Sequence, residues 1–198
     1  MAPDQLPEQA HLEQGEPGQA TPRKVGLLGH LAGFLREVLE TVLPALVIVL
    51  VINMFLAQAT RVEGQSMEPN LHDNQRLIIE KVSYYVHPPR RGDIIVLKLP
   101  NHRSDALIKR VIGLPGETVE IRDGVVLING EPLDEPYLNQ STYQGMPPRV
   151  VPEGQVFVLG DNRGFSNDSR SFGFVPFSDI VGRAWFRYWP LSEIGPVR

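Results

Sequence analysis

The sequence predicts a mainly β protein, an antiparallel sheet or barrel, with one N-terminal transmembrane helix. Three observations predict it. Short β-branched runs bounded by Gly, Pro or Asn recur through residues 62–198. Asp123-Gly124 and Asn129-Gly130 stand where two-residue hairpin turns belong. Ahead of them, residues 41–60 carry no charge, and 20 residues of helix cover about 30 Å, the thickness of a bilayer core. With 42% hydrophobic and 21% charged residues in a chain of 198, one domain of ordinary size can bury a core. The formal charge of -4 argues against nucleic acid as a partner. No cysteine is present, which excludes disulfides, thiolate metal sites and cysteine nucleophiles.

Residues 1–26 are rich in Gln, Glu, Pro and Gly without apolar periodicity, so a disordered tail is expected there. Residues 27–60 read as a juxtamembrane and transmembrane helix, with Pro44 near one end of the apolar run and Asn53 nearer the other. A buried core helix would be shorter. A cleavable leader competes, because Ala57-Gln58-Ala59 has the small-x-small form of a cleavage site; the long apolar run and the 40 residues before it favour a retained anchor. Arg23, Lys24 and Arg36 before the span against Arg61 and Arg76 after it put the N-terminus inside by a narrow margin.

Residues 61–198 form the expected β-rich domain. Strands are predicted at Arg76–Glu80, Asp93–Leu97, Thr118–Ile121, Val125–Ile128 and Gln155–Leu159, with loops at Pro88-Pro89, Pro147-Pro148 and Pro152. Arg91-Gly92-Asp93 reads as a turn feeding a strand. Tyr84, Tyr85, Trp185, Phe186 and Trp189 are core candidates that could instead reach a lipid interface.

Phosphate-binding loops, zinc-protease helices and dinucleotide fingerprints are absent from the chain, and its five histidines lack metal-ligand spacing, so neither metal nor cofactor is expected. Three segments carry more. Gly64 and Pro69 bracket Ser66 in a tight turn. In the run Ala106–Glu117, strand alternation places Lys109 with Leu107 and Val111, so its amine loses hydration, which favours the neutral, proton-accepting form. Gly160–Arg170 is dense in small hydrogen-bonding side chains, with Asp and Arg available to pair. Each alone also reads as ordinary structure: a turn serine, a lysine snorkelling from an edge strand, a well-bonded loop.

Together, in this order and behind one apolar span, the segments resemble the type I signal peptidases, membrane-anchored serine proteases of exported precursors. Gly64-Gln-Ser66-Met67-Glu-Pro69, Arg91–Val96, Lys109–Glu117 and Gly160-Asp161-Asn162-Arg163 through Asp168-Ser169-Arg170 are similar to four ordered boxes of that family. The resemblance implies Ser66 as nucleophile and Lys109 as general base. It implies that Ser166 orients the lysine amine and that Asp168 and Arg170 form a supporting salt link. Shallow substrate pockets for small side chains are expected from Val62, Met67, Leu71 and Ile108, although alternation sets Ile108 opposite Lys109. The implied partners are signal-peptide-bearing precursors and a lipid bilayer, with the catalytic domain on the extracytoplasmic face of the cell membrane.

Two departures stand out. Gly64 replaces a hydroxyl residue that some relatives use as a second oxyanion donor, and Gly164-Phe165 replaces the more usual Asp-Asn. Three rivals stay open: a self-cleaving repressor-type protease, an anchored non-catalytic β domain, and a hydrolase based on His72 or His102.

Overall fold

The computed structural model describes residues 27–99, 106–142 and 144–197. The tail expected at residues 1–26 and the candidate His102 lie outside these. The chain divides into two compact units, Met1–Ala45 and Leu46–Arg198.

Helix α1 spans Leu27–Val51 and passes into a π-helical turn at Ile52–Leu56. Its apolar side chains from Val42 to Ile52 are all exposed. The strands are β1 (Ala57–Arg61), β2 (Arg76–Glu80), β3 (Ile94–Leu97), β4 (Leu107–Gly113), β5 (Thr118–Arg122) and β6 (Val125–Ile128). They continue as β7 (Glu131–Pro132), β8 (Met146–Val150), β9 (Gln155–Leu159), β10 (Val175–Pro176), β11 (Ile180–Trp189) and β12 (Gly195–Pro196), with one-turn helices α2 (Ser83–Val86) and α3 (Ser169–Phe172).

A large antiparallel sheet runs β1-β2-β11-β3-β4-β9-β10, with β12 added on β11; a smaller one runs β7-β6-β5-β8. The mainly β, antiparallel expectation holds. Both Asx-Gly turns hold as well: Asp123 and Gly124 have φ of 50° and 82°, Asn129 and Gly130 54° and 88°, the left-handed pair that a tight hairpin turn requires. Gly92, at φ 85°, turns the chain into β3 as the Arg91-Gly92-Asp93 reading expects.

The apolar span differs from its expected form. Ala57–Thr60 are not helical: they pair residue by residue with β2, from Ala57 opposite Glu80 to Thr60 opposite Leu77. The charge-free helix therefore ends at Leu56, and Arg36, Glu37 and Glu40 share α1 with the apolar run. Among the described residues no helix is long and apolar enough to cross a membrane. The last four residues of the expected helix belong instead to β1, because backbone pairing with β2 claims them. Ala57-Gln58-Ala59 accordingly lies within a ladder.

Pro147 and Pro148, expected in a loop, belong to β8. Among the described residues this strand pairs only with β5, and an edge strand tolerates residues without an N–H. Of the aromatic candidates, Tyr85, Trp185 and Trp189 are exposed, whereas Tyr84 and Phe186 are half-buried.

Three apolar clusters form the core. One joins Val62, Met67, Leu71 and Ile108 to Leu77, Ile79, Ile94, Val96 and Ala184. A second packs the smaller sheet on Ile112, Phe157 and Leu159, and a third lies around Ile95, Val111 and Val158. β4 borders all three, so both of its faces are covered.

Candidate active site

β4 pairs with β3 on one side, Ile95 opposite Lys109, and with β9 on the other, Arg110 opposite Leu159. Lys109 is thus on an interior strand, where snorkelling to water is blocked, and the residue is 2% exposed. Its Nζ lies 2.8 Å from Ser66 Oγ and 2.8 Å from its neighbour's carbonyl, Ile108 O. Among the described residues no carboxylate reaches it in an ion pair. Burial lowers its pKa from 10.5 to about 8, against the opposing pull of Asp168 and then Asp161.

The turn presenting Ser66 is held from several directions. Gly64 adopts a φ of 81°, and its N–H donates to Asp73 Oδ1 at 2.9 Å. The N–H groups of Asn70 and Leu71 fold back onto Met67 O. Asn162 clamps the turn from across the site: its backbone N–H donates to Ser66 O at 3.0 Å and its side-chain amide to Gln65 O at 3.1 Å. Among the described residues the Ser66 N–H has no acceptor, so it is available to a developing oxyanion. Gly64 supplies no hydroxyl, and its N–H is already committed to Asp73.

In the last loop Asp168 caps α3 and forms a two-pronged pair with Arg170, 2.8 Å at each prong, while also accepting the Gly160 N–H at 3.1 Å. Ser166 Oγ is buried without a hydrogen-bond partner. It lies against Gly160, where an added Cβ would come within 3.0 Å of both Ser166 Oγ and Ser66 O. Gly160 is therefore the position that lets the last loop approach Ser66.

The structure thus brings Ser66 and Lys109 into contact, joins Asp168 to Arg170, and sets Ser166 beside Gly160 with no bond to the amine. Val62, Met67, Leu71 and Ile108 are 1–8% exposed and packed against one another, a floor beneath the turn. His72 is exposed and lies 3.8 Å from the Glu68 carboxylate; it makes no hydrogen bond to Ser66.

Other residues of the site were not singled out from sequence. Arg110 grips Asp161 through Nε and an NH2 group at 2.8 and 2.6 Å, with its guanidinium 4.0 Å above the Tyr137 ring. Asn70 donates to Asp161 Oδ2 at 2.8 Å and to Tyr137 O at 3.0 Å, tying the Ser66 turn to this buried pair. Arg163, fully buried, binds Glu135 and Thr142. The available signal was charge inside apolar company at Arg110 and inside the last loop, but the partners lie 51 and 28 residues away.

The arrangement is a hydroxyl beside a buried, uncompensated amine. The family model described as signal peptidase, peptidase S26, matches residues 35–189. A probable signal peptidase I-1 from Synechocystis sp. is 44% identical over 169 residues, covering 82% of this chain and 86% of its own. Signal peptidase I of Leptolyngbya laminosa is 47% identical over 168 residues, covering 81% and 83%. A crystal structure of a signal peptidase I from Enterococcus faecalis V583 is 41% identical and covers 50% of this chain and 97% of that one, at a TM-score of 0.45. A family match across most of the described chain, with relatives this similar over most of both lengths, means that the chain belongs to the signal peptidase family, peptidase S26.

Proposed function

We propose that this signal peptidase cuts signal peptides from exported precursors after small-x-small sites, with Ser66 as nucleophile and Lys109 as general base. The observation that carries the reading is the 2.8 Å contact between Lys109 Nζ and Ser66 Oγ around an amine that burial makes easy to deprotonate. A serine hydroxyl attacks well only when a neighbour takes its proton, and a lysine does so near neutral pH only when its environment destabilises the ammonium form. With Lys109 neutral, its lone pair accepts the hydroxyl proton as Oγ adds to the carbonyl. The Ser66 N–H donates to the resulting oxyanion. Lys109 then gives its proton to the leaving amine, and water, deprotonated by the same group, hydrolyses the ester. Asp168 and Arg170 support the last loop, and Ser166 in that loop helps orient the lysine amine.

Small side chains of the precursor would sit on the floor formed by Val62, Met67, Leu71 and Ile108, the peptide adding as an extended strand. Attachment to the bilayer is supported by the helix before β1. Leu43, Leu46, Ile48, Val49 and Leu50 are each more than half exposed, an apolar surface left open among the described residues. The charge-free helical part, residues 41–56, reaches about 24 Å, so the turn before it must lie at the headgroups. There Arg36 and Glu40 neutralise each other across 2.7 Å. We place the N-terminus on the cytoplasmic side and the sheets outside, with Ser66 held near the membrane by the short connection through β1.

The test is incubation of the full chain and of Ser66→Ala with a secretory precursor, followed by mass determination of the products. One cut after a small-x-small site, abolished in the variant, is expected; undiminished cleavage by Ser66→Ala would reject the nucleophile.

A further inference from the structure

The proposed reaction needs Ser66 Oγ held at bonding distance from Lys109 Nζ, yet the two residues stand 43 positions apart on different elements. Lys109 is in the middle of β4, which neighbouring strands fix on both sides. Ser66 is in a turn, residues 64–71, that belongs to no strand. Loops and side chains must therefore set the distance of this turn from β4.

Two consecutive residues of the last loop hold the turn, one at each end. Asn162 takes the front, at Gln65 O and Ser66 O. Asp161 takes the back, through the side chain of Asn70. The Asn70 amide nitrogen carries two hydrogens and meets two acceptors, Asp161 Oδ2 at 2.8 Å and Tyr137 O at 3.0 Å. Both acceptors are oxygens and one is charged, so the nitrogen of the amide, not its oxygen, has to face them. Asp161 is fully buried, and Nε and an NH2 group of Arg110 grip it. Arg110 directly follows Lys109 on β4. A path from the Ser66 turn to the Lys109 strand thus runs through Asn70, Asp161 and Arg110, with charge-assisted hydrogen bonds at both junctions. At its near end Asn70 is fastened into the turn, its N–H donating to Met67 O at 3.0 Å.

We propose that Asn70 is a positioning residue for the cleavage reaction: its side-chain amide, acting through Asp161 and Arg110, sets the gap between Ser66 and Lys109. The proposal rests on the assignment of those two as nucleophile and base. The same amide has an electrostatic part. Burial lowers the Lys109 pKa, while Asp168 and then Asp161 oppose that shift. A donor on Asp161 Oδ2 answers part of its charge, so removing the amide strengthens the pull of Asp161 on the ammonium form. Loss of Asn70 then displaces the hydroxyl and makes the amine harder to deprotonate. Both changes slow the chemical step and leave peptide binding alone.

The experiment uses the full chain in detergent, a signal-peptide-bearing precursor, and two variants. Asn70→Leu keeps the volume of the side chain and loses its donors; Asn70→Ala loses both. Steady-state kinetics across pH is run at a temperature where thermal melts show each variant folded. In both, kcat is expected to fall by about 10²-fold, the cost of moving a reacting group by about 1 Å, with KM within about twofold of wild type. The rising limb of the pH profile should move to higher pH in both. A kcat within about threefold of wild type in Asn70→Leu, a loss carried by KM instead, or a pH limb left in place would overturn the positioning role. Cutting of the same precursor by Ser66→Ala would instead overturn the assignment of the nucleophile.

Discussion

Lys109 and Arg110 are neighbours on β4, each 2% exposed, and the protein treats them in opposite ways. Arg110 is fully answered: a bidentate carboxylate from Asp161, the Gly92 carbonyl at 3.1 Å and an aromatic face. Lys109 receives a hydroxyl and a carbonyl, neither of them charged. A guanidinium keeps its proton in any protein environment, so burying it demands a counter-charge. An ammonium escapes the same penalty by giving the proton up. The difference teaches that the proposed base is marked out less by what touches it than by the carboxylate withheld from it, while Arg110 and Asp161 build the frame around it.

The comparison breaks most visibly at Lys109 itself. Lys109→Met removes the proposed base and is expected to lower kcat/KM by about 10⁴-fold, at the upper end for a general base, yet to leave thermal stability equal or higher, because no partner charge is stranded. Arg110→Met should do the reverse in kind. It leaves Asp161 buried and unpaired, a loss of about 3–5 kcal/mol read by chemical denaturation. If the two variants were destabilised alike, the contrast between compensated and uncompensated cations would fail.

Gly160→Ala sharpens the picture at the point of contact between loops. The added methyl has to displace Ser66 O or Ser166 Oγ, so a drop of about 10²-fold in kcat is expected from misplacement of the proposed nucleophile. Steady-state kinetics on the folded variant measures it, and near wild-type turnover would show that the loops have slack. Tyr137→Leu is the mildest change. It withdraws the ring beneath Arg110 and should cost about 1–2 kcal/mol of stability with little change in the pH dependence of cleavage.

Much of this frame was legible in the sequence, and the reasons are local. β2, β6 and β9 fall where β-branched runs end at turn residues, and the two Asx-Gly turns need no tertiary information because left-handed backbone is written in the residue type. Ser66 and Lys109 were legible through the order of the boxes around them. β8 was hidden because Pro147-Pro148 signals a loop wherever the strand's place at the sheet edge is unknown. β1 was hidden because Ala57–Thr60 continue an apolar run whose helical end is set by pairing with β2, an event outside the segment. Arg110–Asp161 and Arg163–Glu135 could not be paired from sequence, since charge complementarity does not say which of several acids the fold brings near.

Burial also links Lys109 to stability. Its pKa is depressed in the folded state, so between about 8 and the ordinary 10.5 the unfolded chain binds the extra proton and stability rises with pH. On the proposed assignment the same group governs the rate, which should climb through that lower value as the amine becomes a base. The most direct measurement is therefore an NMR titration of the Lys109 side-chain amine in the full chain, assigned by its loss in Lys109→Met. A midpoint near 8 is predicted. A midpoint at 10.5, the value of a freely hydrated lysine, would contradict the claim that this amine serves as the base.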